Sequence, residues 1–247
     1  MEPIKIAEVG QYVEKNISSF HKGRLESLKR LKLNKILERK NPYLFKAKNI
    51  LLAQDLVSTL LDAHLSSQEE TIFGNFLEGL AVFVNEKVYH GWKSSTQGID
   101  LEFNKDNIRY ILAIKSGPNW GNSSQIRKMR DDFRKAKQTI RTSNSKLHVI
   151  AVNGCCYGRN TKPDRGDYYK YCGQKFWEFI SGNSNLYLKI IKPLGYSAKE
   201  KNEEFNEKYA QIVNNFTQEF SEKFVINGKI NWATLVQFNS AELKPKI

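Results

Sequence analysis

Apolar residues recur at helical spacing through residues 12–37, with Val13, Ile17 and Phe20 and then Leu25, Leu28 and Ile36 set between lysines and arginines. A repeat near 3.6 residues puts such positions on one stripe, so the pattern predicts helices with one buried face. Asn41-Pro42 interrupts it, and Leu56, Val57, Leu60 and Leu61 predict a second helix over 50–65. Ser66 and Ser67, each followed three residues later by Glu69 or Glu70, form two overlapping capping boxes. They predict a fresh helix start and a helix to about residue 87. Its stripe is Phe73, Phe76, Leu77, Leu80 and Val84, and Glu78 lies off the stripe centre. Gly74 and Ala81 sit beside Glu78 at helical spacing, small neighbours that let its carboxylate approach another element closely.

From Gly98 to Lys115 the period changes to two. Side chains alternate faces along a strand, so Ile99, Leu101 and Phe103 are predicted to enter a core while Asp100 and Glu102 project from the other face. Residues 104–107 supply a turn, and on the returning strand Ile111, Ala113 and Lys115 share a face, so that Lys115 can meet the acids. Ser116 to Gln125 reads as a glycine-bounded loop ending in helix-capping residues. The helix predicted at 123–143 carries Arg127, Lys128, Arg130, Arg134, Lys135, Lys137 and Arg141. A buried strand at 147–152, a basic and aromatic loop at 157–171, a short helix at 176–180 and a strand at 186–191 follow. Phe205, Tyr209, Ile212, Val213, Phe216 and Phe220 predict one long amphipathic helix over 198–223, capped by Ser197 with Glu200. Asn227-Gly228 signals a hairpin ahead of a lysine-rich tail. Alternating elements of this kind make an α/β protein with a mixed sheet. The expected organisation is an N-terminal helical region at 1–65 available for dimerisation or DNA contact, a core at 66–195, and a C-terminal helix and hairpin at 196–247 packing on that core.

A chain of 247 residues, 40% hydrophobic, can bury a sizeable core. Its formal charge of +13 points toward a polyanionic partner, because neutralising phosphates releases condensed counterions; charge alone also fits RNA, anionic lipid or mere solubility. No apolar run approaches bilayer length, and residues 1–10 contain acids and a proline where a signal peptide needs apolar residues. The expectation is a soluble cytoplasmic protein. Cys155, Cys156 and Cys172 are odd in number and lack a CxxC pair, which predicts buried free thiols. His21, His64, His90 and His148 are scattered, which argues against a histidine-metal nuclease.

Several of these segments together resemble the PD-(D/E)xK nuclease superfamily, and most closely its type II restriction endonucleases. The resemblance rests on Glu78 in the preceding helix, on Asp100, on the strand end Ile114-Lys115-Ser116-Gly117, and on Cys172-Gly173-Gln174-Lys175-Phe176-Trp177 followed by Ile180-Ser181-Gly182. It covers residues 66–193. Gly98-Ile99 stands where a proline often precedes the aspartate, and Ala113 stands where the family usually carries its second acid. The resemblance implies a restriction-endonuclease-like αβββαβ core with N- and C-terminal helical additions. It also implies Mg2+-dependent double-strand cleavage of a short DNA site by a homodimer, with a cognate DNA methyltransferase protecting host DNA.

Magnesium suits phosphodiester hydrolysis because it gathers carboxylates, phosphate oxygens and water in one octahedral shell. Asp100 is the first expected ligand, the backbone carbonyl of Ile114 a second and Glu78 a third. Lys115 would orient or help deprotonate the attacking water and stabilise the transition state. Ala113 cannot bind a metal, which leaves three readings. Either Glu78 or Glu102 supplies the missing charge, or the alanine was engineered into an inactive variant, or the fold survives as a DNA-binding module without catalysis. Compensation is the favoured reading, with Glu78 ranked first. Asn119, Asn122, Ser123, Ser124, Gln125, Arg127, Lys128, Arg130 and Arg159 are the expected DNA contacts, and Trp120 is read as a packing anchor. A repair or junction-processing nuclease on the same fold is the enzymatic alternative.

Overall fold

The structure is a computed structural model that describes residues 3–143 and 147–242. The lysine-rich tail lies outside the described residues. In chain order the elements are α1 (Ile6–Lys29), α2 (Leu33–Leu37), α3 (Pro42–Ala47), α4 (Ala53–Tyr89), β1 (Trp92–Lys93), β2 (Leu101–Lys105), β3 (Ile108–Lys115), α5 (Ser123–Ser143), β4 (His148–Cys155) and β5 (Tyr169–Cys172). They continue with α6 (Gln174–Ser181), α7 (Leu186–Lys189), α8 (Ile191–Leu194), α9 (Ala198–Phe224), β6 (Val225–Ile226), β7 (Lys229–Ile230) and α10 (Trp232–Ser240). No helix of the described residues is long and apolar enough to cross a membrane. The chain forms two compact units, Met1–Ser18 with Phe73–Tyr196 and Ser19–Ile72 with Ser197–Ile247.

The second unit is helical, and its core joins Leu28, Leu56, Leu60 and Leu61 to Phe205, Phe220 and Phe224. Residues 19–72 and 197–247, drawn from the two ends of the sequence, thus share one apolar cluster. Asn41 opens α3, its side chain accepting from the N–H groups of Tyr43 and Leu44 ahead of Pro42 in the first turn. Ser197 does not open α9 in the expected way, because its backbone is left-handed and its side chain makes no capping bond. The fresh start expected at Ser66 is absent too, since α4 runs unbroken through Leu65 and Ser67. No glycine or proline interrupts 63–70, and a capping box acts only where the backbone already leaves the helix. Asn227 and Gly228, at φ 50° and 72°, make the expected two-residue hairpin between β6 and β7.

The first unit holds a five-stranded sheet in the order β1-β2-β3-β4-β5, antiparallel from β1 to β3 and parallel from β3 to β5. The succession α4-β1-β2-β3-α5-β4 is the αβββαβ core expected from the sequence. The β2–β3 turn is tighter than the four residues anticipated: Asp106 and Asn107 alone make it, at φ 52° and 60°. Met129, Phe133 and Ala136 of α5 pack on Ile111 and Ala113 of β3 and on Val149 and Ala151 of β4, so the crossover helix covers one sheet face. Ile99 joins this cluster rather than grouping with Leu101 and Phe103, because regular pairing begins only at Leu101.

The strand expected at 186–191 is replaced by the short helices α7 and α8. Leu186 and Ile190 are buried while Leu188 and Ile191 are exposed, which is helical rather than alternating burial. The fifth strand is instead β5, inside the segment read as a loop. Cys155, Cys156 and Cys172 are buried and free, as expected. Burial, with Cys172 alongside, pushes the Cys155 thiol up to about 12, so it carries no thiolate at neutral pH.

Candidate active site

Asp100 immediately precedes β2, and β3 holds it at both ends. Its N–H donates to the Leu112 carbonyl at 2.7 Å, and its Oδ2 accepts from the Ile114 N–H at 2.6 Å. In a ladder the N–H and C=O of one residue point the same way, so the Ile114 carbonyl faces the Asp100 side of β3. Lys115 Nζ lies 3.9 Å from Asp100 Oδ2, the juxtaposition expected from strand alternation. Gly98, at φ 77°, turns the chain into this position, and a β-carbon there would meet Asp132 Oδ2 at 2.5 Å. A proline at 98 could not adopt that backbone.

Glu78 reaches the cluster from α4. At Gly74, one turn earlier, the helix runs beside the segment after Lys115: a β-carbon there would meet Ser116 Cβ at 3.6 Å, an ordinary contact, so the approach does not depend on glycine. Glu78 Oε1 is 3.5 Å from Lys93 Nζ, and its charge is felt at Asp100. Burial holds the Asp100 carboxyl above the usual carboxylate range, opposed by the Ile114 N–H, reinforced by Glu78, and opposed again by Lys115 and Lys93.

A raised pKa means that the native state keeps this proton to higher pH than the unfolded chain. Stability therefore falls as pH rises through the window between the ordinary and the raised value, and the loss persists above it. Asparagine cannot ionise and keeps an acceptor for the Ile114 N–H. The metal-free Asp100→Asn variant is expected to melt about 2 °C higher than the parent at neutral pH, with the gain fading as pH falls through that window and gone below about pH 4. Equal melting temperatures at neutral pH would contradict the desolvated setting of Asp100.

The segment after Lys115 is fixed from several sides. Tyr157 N–H donates to the Ser116 carbonyl at 3.1 Å, and the Tyr157 ring lies over Gly117, where even a β-carbon would collide with it. Lys170 Nζ donates to the Pro118 carbonyl at 2.7 Å. Trp120 Nε1 donates to Asn153 Oδ1 at 3.2 Å, and Asn153 Nδ2 donates to the Ala113 carbonyl at 3.1 Å. Asn153 is buried, and a buried polar group stripped of its partner costs about 1–3 kcal/mol, so this relay anchors Trp120 as a packing residue. Lys115 Nζ lies 5.4 Å from the Trp120 ring centroid.

Glu102 is not brought to this cluster. It is buried, and its carboxylate accepts from Ser94 Oγ at 2.6 Å and from Arg109 at 3.2 Å. Ala113 is buried in the cluster of Ile99, Met129 and Phe133, with Trp120 packed against it.

Among the expected DNA contacts, Asn122 and Gln125 cap α5 reciprocally. The Gln125 N–H donates to Asn122 Oδ1 at 3.0 Å and the Asn122 N–H to Gln125 Oε1 at 2.9 Å. Asn119, Ser123 and Ser124 are exposed around that helix start. Lys128 pairs with Asp132 and Arg130 with Asp167, both at 2.9 Å. Arg127 and Arg159 are exposed and form no ion pair among the described residues.

A family model described as type II restriction endonuclease EcoO109I matches residues 7–202. The chain belongs to this family. No curated protein matches it. An EcoO109I-family chain is a type II restriction endonuclease, a nuclease acting on DNA phosphodiester bonds. Among the described residues no three His, Cys, Asp or Glu side chains gather as a metal cage. The donor set at β3 still fits a hard divalent cation, since two carboxylates, Asp100 and Glu78, and the Ile114 carbonyl are all oxygen donors. Such a cation keeps several waters and takes further ligands from substrate phosphates, so a full protein cage is not required. Two residues that bear on this cluster escaped the sequence reading. Lys93 sits on a strand of only two residues, and Asn153 lies within an apolar run; neither carries a local pattern.

Proposed function

We propose that this protein is a Mg2+-dependent type II restriction endonuclease that makes double-strand cuts at a short specific DNA site. The observation that carries the reading is the meeting of Asp100, Glu78 and Lys115 at the end of β3, with Asp100 fixed by the Ile114 N–H and Lys115 Nζ 3.9 Å away. Bound there, the metal ion would neutralise charge building on the scissile phosphate and lower the pKa of an attacking water. Asp100, Glu78 and the Ile114 carbonyl would hold it. Lys115 orients the water and stabilises the added negative charge on phosphorus. Arg127 and Arg159, exposed and free of ion pairs among the described residues, are the best placed of the predicted contacts to take phosphates or guanine edges. A two-fold symmetric site calls for a homodimer with one such cluster per strand, and for a cognate methyltransferase to protect host DNA.

Ala113 supports a second reading, a DNA-binding protein without cleavage. Digestion of a sequence-diverse plasmid with Mg2+, followed by sequencing of the fragment ends, separates the two. Discrete ends sharing one short sequence are expected. Ends confined to flaps or junctions would indicate a structure-selective nuclease, and intact DNA bound by the protein would favour the inactive module.

A further inference from the structure

One more charged side chain reaches the cluster. Lys93 stands on β1 opposite Leu101, next to Asp100 in the chain, and its Nζ lies 3.5 Å from Glu78 Oε1. Lys93, Glu78, Asp100 and Lys115 therefore form one run, with two neighbouring carboxylates held between two ammonium groups. The Lys93 side chain is 72% exposed and that of Glu78 25%, so a flexible ammonium caps a partly covered acid from the solvent side. Both line an open cleft of about 390 Å³ that also carries Tyr12, Gly79, Phe83 and Glu86. An exposed pair of this kind is weak and readily exchanged for other partners. A phosphate competes with Glu78 for Lys93, and a divalent cation competes with Lys93 for Glu78.

Resting on the nuclease reading above, we infer that Lys93 is a positioning residue that occupies Glu78 in the free protein and passes to a backbone phosphate when DNA binds, releasing Glu78 to the metal ion. Metal affinity is then low without DNA and rises with it. By linkage the metal raises DNA affinity by the same factor.

The test is titration of the DNA-free full chain with Mn2+, read from the electron paramagnetic resonance signal of the free aquo ion. Lys93→Met should bind Mn2+ about fivefold more tightly than the parent, since a nearby positive charge is removed. In a Glu78→Gln background the same substitution should gain clearly less, since only the action of Lys93 on Asp100 is left. Adding a short duplex should raise the Mn2+ affinity of the parent more than that of Lys93→Met. Unchanged Mn2+ affinity in Lys93→Met, or an equally large gain without the Glu78 carboxylate, overturns the inference while leaving the site standing, provided that Asp100→Asn abolishes Mn2+ binding. Mn2+ binding indifferent to Asp100→Asn would instead overturn the nuclease site itself.

Discussion

Replacing Glu78 with glutamine is expected to slow DNA cleavage by about 10²-fold or more while leaving the melting temperature nearly unchanged. Glutamine is close in shape to glutamate, and among the described residues Glu78 pairs with the exposed Lys93 at 3.5 Å, so the fold loses little. What disappears is the second negative oxygen donor beside Asp100. Glu102→Gln is the matching control. Its carboxylate is buried against Arg109 and Ser94, so that substitution should destabilise the protein by about 1–3 kcal/mol and leave the cleavage rate of the folded fraction close to the parent. Single-turnover cleavage and thermal melts on both variants decide the matter. An Ala113→Glu change must press a carboxylate into the cluster of Ile99, Met129 and Phe133, and is expected to destabilise rather than activate. Strong activity in Ala113→Glu, together with normal cleavage by Glu78→Gln, would move the second acid back to β3.

Lys115→Ala should lower the cleavage rate by about 10³-fold and leave DNA affinity almost unaltered. The lysine sits 3.9 Å from Asp100 and beside the Trp120 ring, in the heart of the site, whereas Arg127 and Arg159 are exposed cations outside that cluster's ion pairs. A group needed chiefly in the transition state lowers the rate of the bound complex, not its formation. Gel-shift affinity measured without a divalent ion, set beside single-turnover rates with Mg2+, distinguishes the two effects. A parallel loss of binding and cleavage would make Lys115 an ordinary phosphate contact.

The β2–β3 hairpin was legible because everything that defines it is local: a period of two, left-handed turn residues, and an acid and a lysine placed by alternation. The same alternation could not separate Asp100 from Glu102. Both acids leave one face, and what divides them is that Ser94 and Arg109 reach Glu102 from neighbouring chain while the Ile114 N–H reaches Asp100. Asn122 and Gln125 read as DNA contacts because capping and phosphate binding draw on the same residue types; their mutual bonds declare the capping role. The strand assigned to 186–191 failed for the opposite reason, since Leu186, Leu188 and Ile190 fit a period of two while burial follows Leu186 and Ile190 alone. Lys93 had no signal at all, because a two-residue strand is too short to show a period.

The division of the chain into interleaved segments also sets an order of assembly during synthesis. The sheet, α5 and the cluster at Asp100 are complete once Tyr196 has left the ribosome. The other unit is then only half made, since Leu56, Leu60 and Leu61 wait for Phe205, Phe220 and Phe224 to arrive from α9. Their apolar stripe stays open to water, and to chaperones, until translation has passed that last long helix.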